Sequence, residues 1–449
     1  AAVAADKESL EITYAPGDSA DGITQDVTLP ITGPNGSVIT WESSYPAILN
    51  SVGTFKLPTL GQNEMIITYT ATIQKGNYKE TKSFPIIINR FKWVQDAYIK
   101  SSNSEINDLF GISISVSGNT IAVGARQESS SQTTITNLGS INNNNDRQHS
   151  GAVYIYRKDS SGNWFQDAYI KASNADEYDW FGYKVALKDD TLVVASYYED
   201  SNQTTVTNDD GMASNDNSSA STGAVYVFKR DSSHNWSQDA YLKASNSGIC
   251  SRLFGQSIAI DNNIIAIGAI DDGNQNTITN ADGVASTDTS LTGSGAVFVF
   301  QKDASGNWYQ DAYLKASNAG ELDSFGYSVA ISNGTIVVGA LNEDSGATGV
   351  SHVYNSASGD NSVNSAGAVY VFQMKSNGDW FQSAYIKPPY TDAGDQFGRS
   401  VAINGNILVV GAISEDSNQE TITNGTTASS DNSNTGSGAV YVYKRIGAA

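Results

Sequence analysis

Phe325-Gly-Tyr-Ser-Val-Ala-Ile-Ser-Asn-Gly-Thr-Ile-Val-Val-Gly-Ala340 reads as two short strands around a tight turn. The flanks are β-branched and apolar, and Asn333-Gly334 tolerates the positive φ that a two-residue hairpin needs. Downstream, Gly367-Ala-Val-Tyr-Val-Phe372 alternates small or aromatic with β-branched residues, giving a third strand. Trp380-Phe-Gln-Ser-Ala-Tyr-Ile-Lys387 gives a fourth. Nowhere does the chain show the period of a helix.

This unit recurs. Trp93, Trp164, Trp236, Trp308 and Trp380 are spaced by about 72 residues, and each opens a Trp-x-Gln-Asp/Ser-Ala-Tyr-Ile/Leu-Lys segment. Phe-Gly follows at Phe110, Phe181, Phe254, Phe325 and Phe397. Gly-Ala then comes at Gly124, Gly268, Gly339 and Gly411, with Ala195-Ser196 in the second copy. Gly-Ala-Val closes the unit at Gly151, Gly223, Gly295, Gly367 and Gly438. Four antiparallel strands repeated five times suggest sheets that bury one another's faces around an axis. The repeat region begins with a fourth strand (93–100) and ends after a third (438–444). The expected fold is therefore all-β: a five-bladed β-propeller over 91–445, closed by pairing the N-terminal Trp strand with the last blade. Residues 1–90 lack every landmark. Runs such as Thr68-Tyr-Thr-Ala-Thr-Ile73 suit a small Ig-like β-sandwich.

The spacing of Phe-Gly, Gly-Ala and Gly-Ala-Val-Tyr resembles the FG-GAP repeat of integrin α-type propellers, in its bacterial form. Residues 1–90 resemble bacterial Ig-like modules through Val27-Thr-Leu-Pro30, Ile39-Thr-Trp-Glu-Ser-Ser-Tyr-Pro46 and the runs at 68–73 and 81–84. The first resemblance implies a strand order, with Phe-Gly innermost, Gly-Ala second, Gly-Ala-Val-Tyr third and Trp outermost. It also implies secretion and a role in binding or adhesion. One departure matters. Typical members carry an Asp-rich calcium loop between the first two strands, whereas this chain has only two-residue turns there. The family's calcium residues therefore transfer to no position.

Composition narrows the function. The 449 residues carry 47 acids against 26 Lys and Arg, a net charge of −21. That balance argues against nucleic acid, whose phosphates need clustered cations. No apolar run approaches the length of a membrane span. Cys250 is alone, so no intrachain disulfide or Cys-based zinc site is available. Ala1-Ala2-Val3-Ala4-Ala5 reads as the remnant of a removed signal peptide or simply as a cut end. The expected location is extracellular or the bacterial cell surface, with a cytosolic protein as the alternative.

The acids have an address. Polar loops of about 25 residues join the second and third strands in every copy, at 126–150, 197–222, 270–294, 341–366 and 413–437. With the segments preceding each Phe-Gly, which a propeller places on the same face, they hold 27 of the 47 acids. Three positions recur. The fourth residue after the Gly of Gly-Ala is Glu128, Glu199, Asp272, Glu343 or Glu415, and Asp200, Asp344 and Asp416 follow directly in three copies. The seventh before Gly-Ala-Val is Asn144, Asp216, Asp288, Asp360 or Asp431. The second before Phe-Gly is Asp108, Asp179, Arg252, Asp323 or Asp395.

Hard cations such as Ca²⁺ take roughly six to eight oxygens, which such acids with neighbouring Ser and Asn could supply. On that reading the metal ligands are Asp179, Glu199, Asp200, Asp216, Asp272, Asp288, Asp323, Glu343, Asp344, Asp360, Asp395, Glu415, Asp416 and Asp431. The competing reading is that Asp-x-Ser merely caps a turn. The three His fall at non-equivalent places and form no set. Paired acids could serve a glycosidase, but five near-equal copies argue against one catalytic centre. The expectation is a non-enzymatic recognition module binding a protein or glycan, with Ca²⁺ as a candidate cofactor. Self-assembly of copies into a filament or surface layer is the alternative, and glycan processing comes third.

Overall fold

The computed structural model describes residues 1–56, 65–88, 95–139, 141, 143–208, 213–248, 253–273, 277–280 and 283–446. The chain divides into two compact units, Ala1–Tyr98 and Ile99–Ala449.

In the first unit, strands Val38–Ser43, Met65–Lys75 and Tyr78–Ile88 form one antiparallel sheet. Ile67, Tyr69, Ala71 and Ile73 alternate inward against Ile39, Trp41, Ile86 and Ile88. The Trp41 indole N–H donates to the Pro30 carbonyl at 2.8 Å, which lets the ring be buried without an unpaired donor. Elsewhere the unit is held by isolated bridges, Thr13 to Thr28, Thr32 to Val38 and Leu49 to Phe55, where a full sandwich would place a second sheet.

One element corrects the sequence reading. Ala2–Ser9 is an α-helix. Two turns are too short to show a period, and Ala is the strongest helix former. The helix is fixed by tertiary contacts: Val3 is buried, and the Asp6 carboxylate accepts from Asn35 N, Asn35 Nδ2 and Ser37 N.

Among the described residues the second unit contains five antiparallel sheets with one plan. In the second sheet the order is Phe181–Lys188, Thr191–Ser196, Ala224–Arg230 and Trp236–Leu242. This is the order that the resemblance implies. The hairpin turns behave as their residues require: Asn333 and Gly334 have φ of 50° and 68°. Two-residue strands not read from the sequence, such as Thr207–Asn208, pair outside the Trp strand of the first, second and fourth sheets.

Successive sheets pack through their Phe-Gly strands. Gly339 shows why Gly-Ala needs its glycine, because a Cβ there would lie 1.9 Å from the Gly398 carbonyl oxygen of the next sheet. Phe181 stands edge-on to Tyr226, with ring centroids 5.2 Å apart, and the same pairing recurs at Phe325 and Tyr370. Aromatic residues at repeat positions are therefore core packing.

The fifth sheet has three strands among the described residues, ending with Ala439–Lys444. The expected pairing of 93–100 with it falls partly outside the described residues, and 95–100 form no strand. Val440 and Val442 are 68% and 66% exposed, although their counterparts Val225 and Val227 are fully buried. At the other end of the array Ile114 and Val116 are exposed, where the equivalent Val185 and Leu187 are buried.

Candidate functional site

The 25-residue loops rise from the second strand of each sheet, and the recurring acids decide their shape. In the second sheet Glu199 follows the Ala195-Ser196 end of its strand and turns inward. Its Oε2 accepts from Lys243 Nζ at 2.8 Å and from Ser201 N at 3.2 Å. Its Oε1 accepts from Tyr241 Oη at 2.7 Å and Asn174 Nδ2 at 3.1 Å. Lys243 also donates to Thr222 Oγ1 at 2.8 Å and the Gly223 carbonyl at 2.7 Å. Every donor of the ammonium has an acceptor, which is the condition for burying a charge.

The arrangement repeats. Lys171 reaches Glu128 at 2.9 Å and Lys387 reaches Glu343 at 2.8 Å. In the third sheet the acid is Asp272, one methylene shorter, and Lys315 stays 3.6 Å away. Burial pushes all four lysines below their ordinary pKa, Lys315 to about 8, against the opposing pull of the carboxylates. Glu415 has no such lysine among the described residues; it accepts from Ser417 N at 3.2 Å. The sequence reading missed this partner. Its signal was present, since Lys closes every Trp segment.

The acids before Phe-Gly sit beneath the loops. Asp179 accepts from Asp176 N at 2.9 Å and Asp323 from Gly320 N at 2.7 Å. Burial first, and for Asp179 the nearby Glu199, raise their pKa to about 8 and about 7. Burial and the Asp392 carboxylate raise Asp395 to about 7. Arg252, the exception at this position, lies outside the described residues.

The remaining acids cap turns. Asp216 Oδ2 accepts from Asn202 N at 3.2 Å and Ser218 Oγ at 2.9 Å. Asp360 and Asp431 repeat the pattern with Gly346 and Ser362, and with Asn418 and Ser433. Asp288 holds Ser290 through both oxygens. Asp200, Asp344 and Asp416 accept from the backbone N–H of Ser221, Ser365 and Gly436, tying the two ends of each loop together.

The three positions are thus brought to each loop but spent on different bonds. Among the described residues no group of three or more acid, His or Cys side chains converges as a metal cage. A cation beside Glu128, Glu199, Asp272 or Glu343 would also face a buried ammonium. The capping bonds account for Asp216, Asp288, Asp360 and Asp431 without a cation.

The outer strands carry a second repeated fastening. Asn208 Nδ2 donates to the Trp308 carbonyl at 2.9 Å, and Trp308 N donates back to Asn208 Oδ1 at 2.7 Å. Asn137 with Trp236 and Asn280 with Trp380 do the same. The Trp308 indole N–H donates to Asp239 of the preceding sheet at 2.8 Å, which gives the Asp of the Trp segment its role. The hairpins before Trp164, Trp236 and Trp308 are Asx-capped turns, in which Asp159, Asp231 and Asp303 each accept from two backbone N–H groups.

Antiparallel four-stranded sheets with Phe-Gly and Gly-Ala at their packing faces define a β-propeller-type repeat protein. The FG-GAP repeat model matches residues 93–156, 164–228, 308–354 and 380–443, more than half of the sequence, and the chain belongs to the FG-GAP repeat family. Residues 3–91 match the atrophied bacterial Ig domain. No curated protein sequence matches the chain. Among solved structures it is similar to a mutant β-fructofuranosidase of Microbacterium saccharophilum K-1, at 9% identity and a TM-score of 0.26. That match covers 67% of this chain and 65% of the other, less than two thirds of its length, and is too distant to carry an argument. No helix among the described residues is long and apolar enough to cross a membrane.

Proposed function

We propose that the chain is a non-enzymatic recognition module, secreted or displayed on a bacterial surface, which binds a protein or glycan through its acid-bearing loop face. The observation that carries this reading is the internal use of the recurring carboxylates. A glycosidase needs two carboxyl groups about 5–9.5 Å apart and free to reach a sugar. Here Glu199 is saturated by Lys243, Tyr241, Asn174 and Ser201, and Asp216 by its own turn. What remains is a set of long loops knotted into fixed shapes, which suits recognition better than turnover. The Ig-like unit serves as a spacer or docking unit. Screening immobilised glycans and proteins tests the reading: a specific partner supports it, and hydrolysis of a polysaccharide would overturn it.

The same reading takes the five sheets as five blades of a closed ring, with 93–100 as the outer strand of the last. Three features support it. Val440 and Val442 are exposed where their counterparts are buried. Gly411 keeps the glycine that receives a neighbour's carbonyl elsewhere, yet meets only Ser400. Among the described residues Glu415 is the one acid of its set without a lysine, and Lys100 the one lysine of its set without an ion pair. Closure would bring Lys100 Nζ to Glu415. A concentration-independent monomer by light scattering, with slow amide exchange along 440–443, is the expected result.

A second reading, a self-assembling subunit, draws on the same exposed ends. There 93–100 of one copy would pair with the last sheet of the next. A mass that grows with concentration would favour it.

A further inference from the structure

The second copy departs from the others around its Phe-Gly. Around Phe181-Gly182 the second copy carries Trp180, Tyr183 (a Tyr shared only with Tyr327 of the fourth copy) and Lys184, and Tyr197-Tyr198 begin its loop. The other copies have Leu109, Leu253, Ser324 or Gln396 at the Trp180 position, and Gln127, Asp271, Asn342 or Ser414 at the Tyr198 position. Where the second copy has Lys184, all four others have Ser: Ser113, Ser257, Ser328 and Ser400. Packing alone does not call for these changes, because the Phe-Gly strands join successive sheets without them.

These side chains meet Arg126, which begins the loop of the first sheet. The Arg126 guanidinium lies 4.0 Å from the Trp180 ring centroid and 5.8 Å from that of Tyr183. Lys184 Nζ is 5.1 Å from the Tyr183 ring. Tyr183 and Tyr197 stack with centroids 4.4 Å apart, and Tyr198 stands edge-on to Trp180 at 4.6 Å. Two sheets therefore build one aromatic cluster with two cations at its edge.

Among the described residues the two cations have no counter-ion: no carboxylate makes an ion pair with Arg126 or Lys184, in a chain of net charge −21. Arg126 Nε and the Trp180 indole Nε1 are buried without a hydrogen-bond partner. Burial and the neighbouring Arg126 both push the Lys184 pKa down, which an anion between them would reverse. Desolvated cations and orphaned donors this close together are costly unless a ligand supplies acceptors.

We propose that Arg126, Trp180, Tyr183 and Lys184 form a binding site for the carboxylate of a singly charged sugar residue. The guanidinium fork matches a carboxylate in two bonds, and the ammonium adds a point charge. The tyrosine and tryptophan rings offer faces to the C–H side of a pyranose, and their polar tips face its hydroxyls. The surrounding loops limit the ligand's charge. They hold most of the chain's acid, so a polyanion would be repelled where one carboxylate is admitted. The site lies on the acid-bearing loop face, since Arg126, Tyr197 and Tyr198 begin two of its loops. It rests on the recognition reading of that face but fails separately, because a partner held elsewhere on the face would not need it.

Calorimetric titration of the full chain with methyl glucuronide, methyl glucoside and acetate tests the proposal. The glucuronide should bind about tenfold or more tightly than either of the others, since each lacks one half of the recognition. Arg126→Gln should weaken it by about tenfold and Lys184→Ser by several fold, with far-ultraviolet dichroism unchanged. Trp180→Leu should reduce the preference over acetate. No glucuronide binding at millimolar concentration, or binding unchanged in Arg126→Gln, would overturn the site. Equal affinity for acetate and glucuronide would overturn the sugar half of the proposal. Tighter binding of polygalacturonate, or of an acidic peptide in place of the glucuronide, would overturn the single-charge sugar as its ligand.

Discussion

Lys243 Nζ lies 2.8 Å from Glu199 Oε2 with both side chains shut away from solvent, and the same pair recurs as Lys171 with Glu128 and Lys387 with Glu343. Removing one member strands the other. Lys243→Met should therefore cost about 3–5 kcal/mol, because the buried Glu199 would lose its partner. Lys243→Met with Glu199→Gln should recover much of that loss. Denaturant unfolding of the two variants checks this, and equal losses would show that the pair is not coupled.

The buried acids before Phe-Gly give stability a pH dependence. Asp179, Asp323 and Asp395 titrate near 8, 7 and 7 when folded, against an ordinary value of 3.8. Between those limits the folded chain holds protons that the unfolded chain has released, so stability falls as pH rises through the window. Melting temperature should decline from pH 5 to pH 8.5. Replacing all three by Asn should flatten the decline and raise the midpoint at the alkaline end. A profile that rises over this range would contradict the assignment.

Calcium offers a direct comparison. The loop carboxylates already hold lysines, backbone amides and hydroxyls, so melting midpoints with millimolar Ca²⁺ and with a chelator should coincide. A rise of several degrees with Ca²⁺ would restore the metal reading.

Glycine substitution reads the closure of the ring. Gly339→Ala should cost about 1–3 kcal/mol, because its methyl meets the Gly398 carbonyl. Gly411→Ala should cost about as much if the last sheet meets the first. A Gly411→Ala variant as stable as the parent, beside a weakened Gly339→Ala, would mean that the seam stays open in solution.

The Asn–Trp fastenings can be tested singly. Asn208→Ala removes a donor and an acceptor that both serve the Trp308 backbone. A loss of about 1–3 kcal/mol is expected, with faster amide exchange at Trp308.

Turn type and repeat phase were legible in the sequence because each rests on a local pattern, while strand order came from the family resemblance. Asn333-Gly334 announces its hairpin, and alternation in 367–372 announces its strand. The capping role of Asp216 was equally legible, since Asp-x-Ser acts within a few residues. Lys243 was not. A lysine closing an apolar strand reads as a solvated end, and only the folded loop encloses it. The Ala2–Ser9 helix escaped because two turns carry no period, and the two-residue strand Thr207–Asn208 because two residues carry no alternation. The Arg126 cluster emerges only when the copies are compared with one another and their neighbours in space are known.

The reciprocal bonds between Asn208 and Trp308 join residues 100 apart in sequence but adjacent in neighbouring sheets. With the same bonds at Asn137–Trp236 and Asn280–Trp380, the second, third and fourth sheets are each overlapped by the one before, as roof tiles are. A pull on the two ends of the chain would load these overlaps in shear rather than peel one strand at a time. Rupture should then come in steps of about one repeat, each releasing roughly 72 residues of slack. For a protein that works under tension between two surfaces, such a series of equal, recoverable yields is a shock absorber.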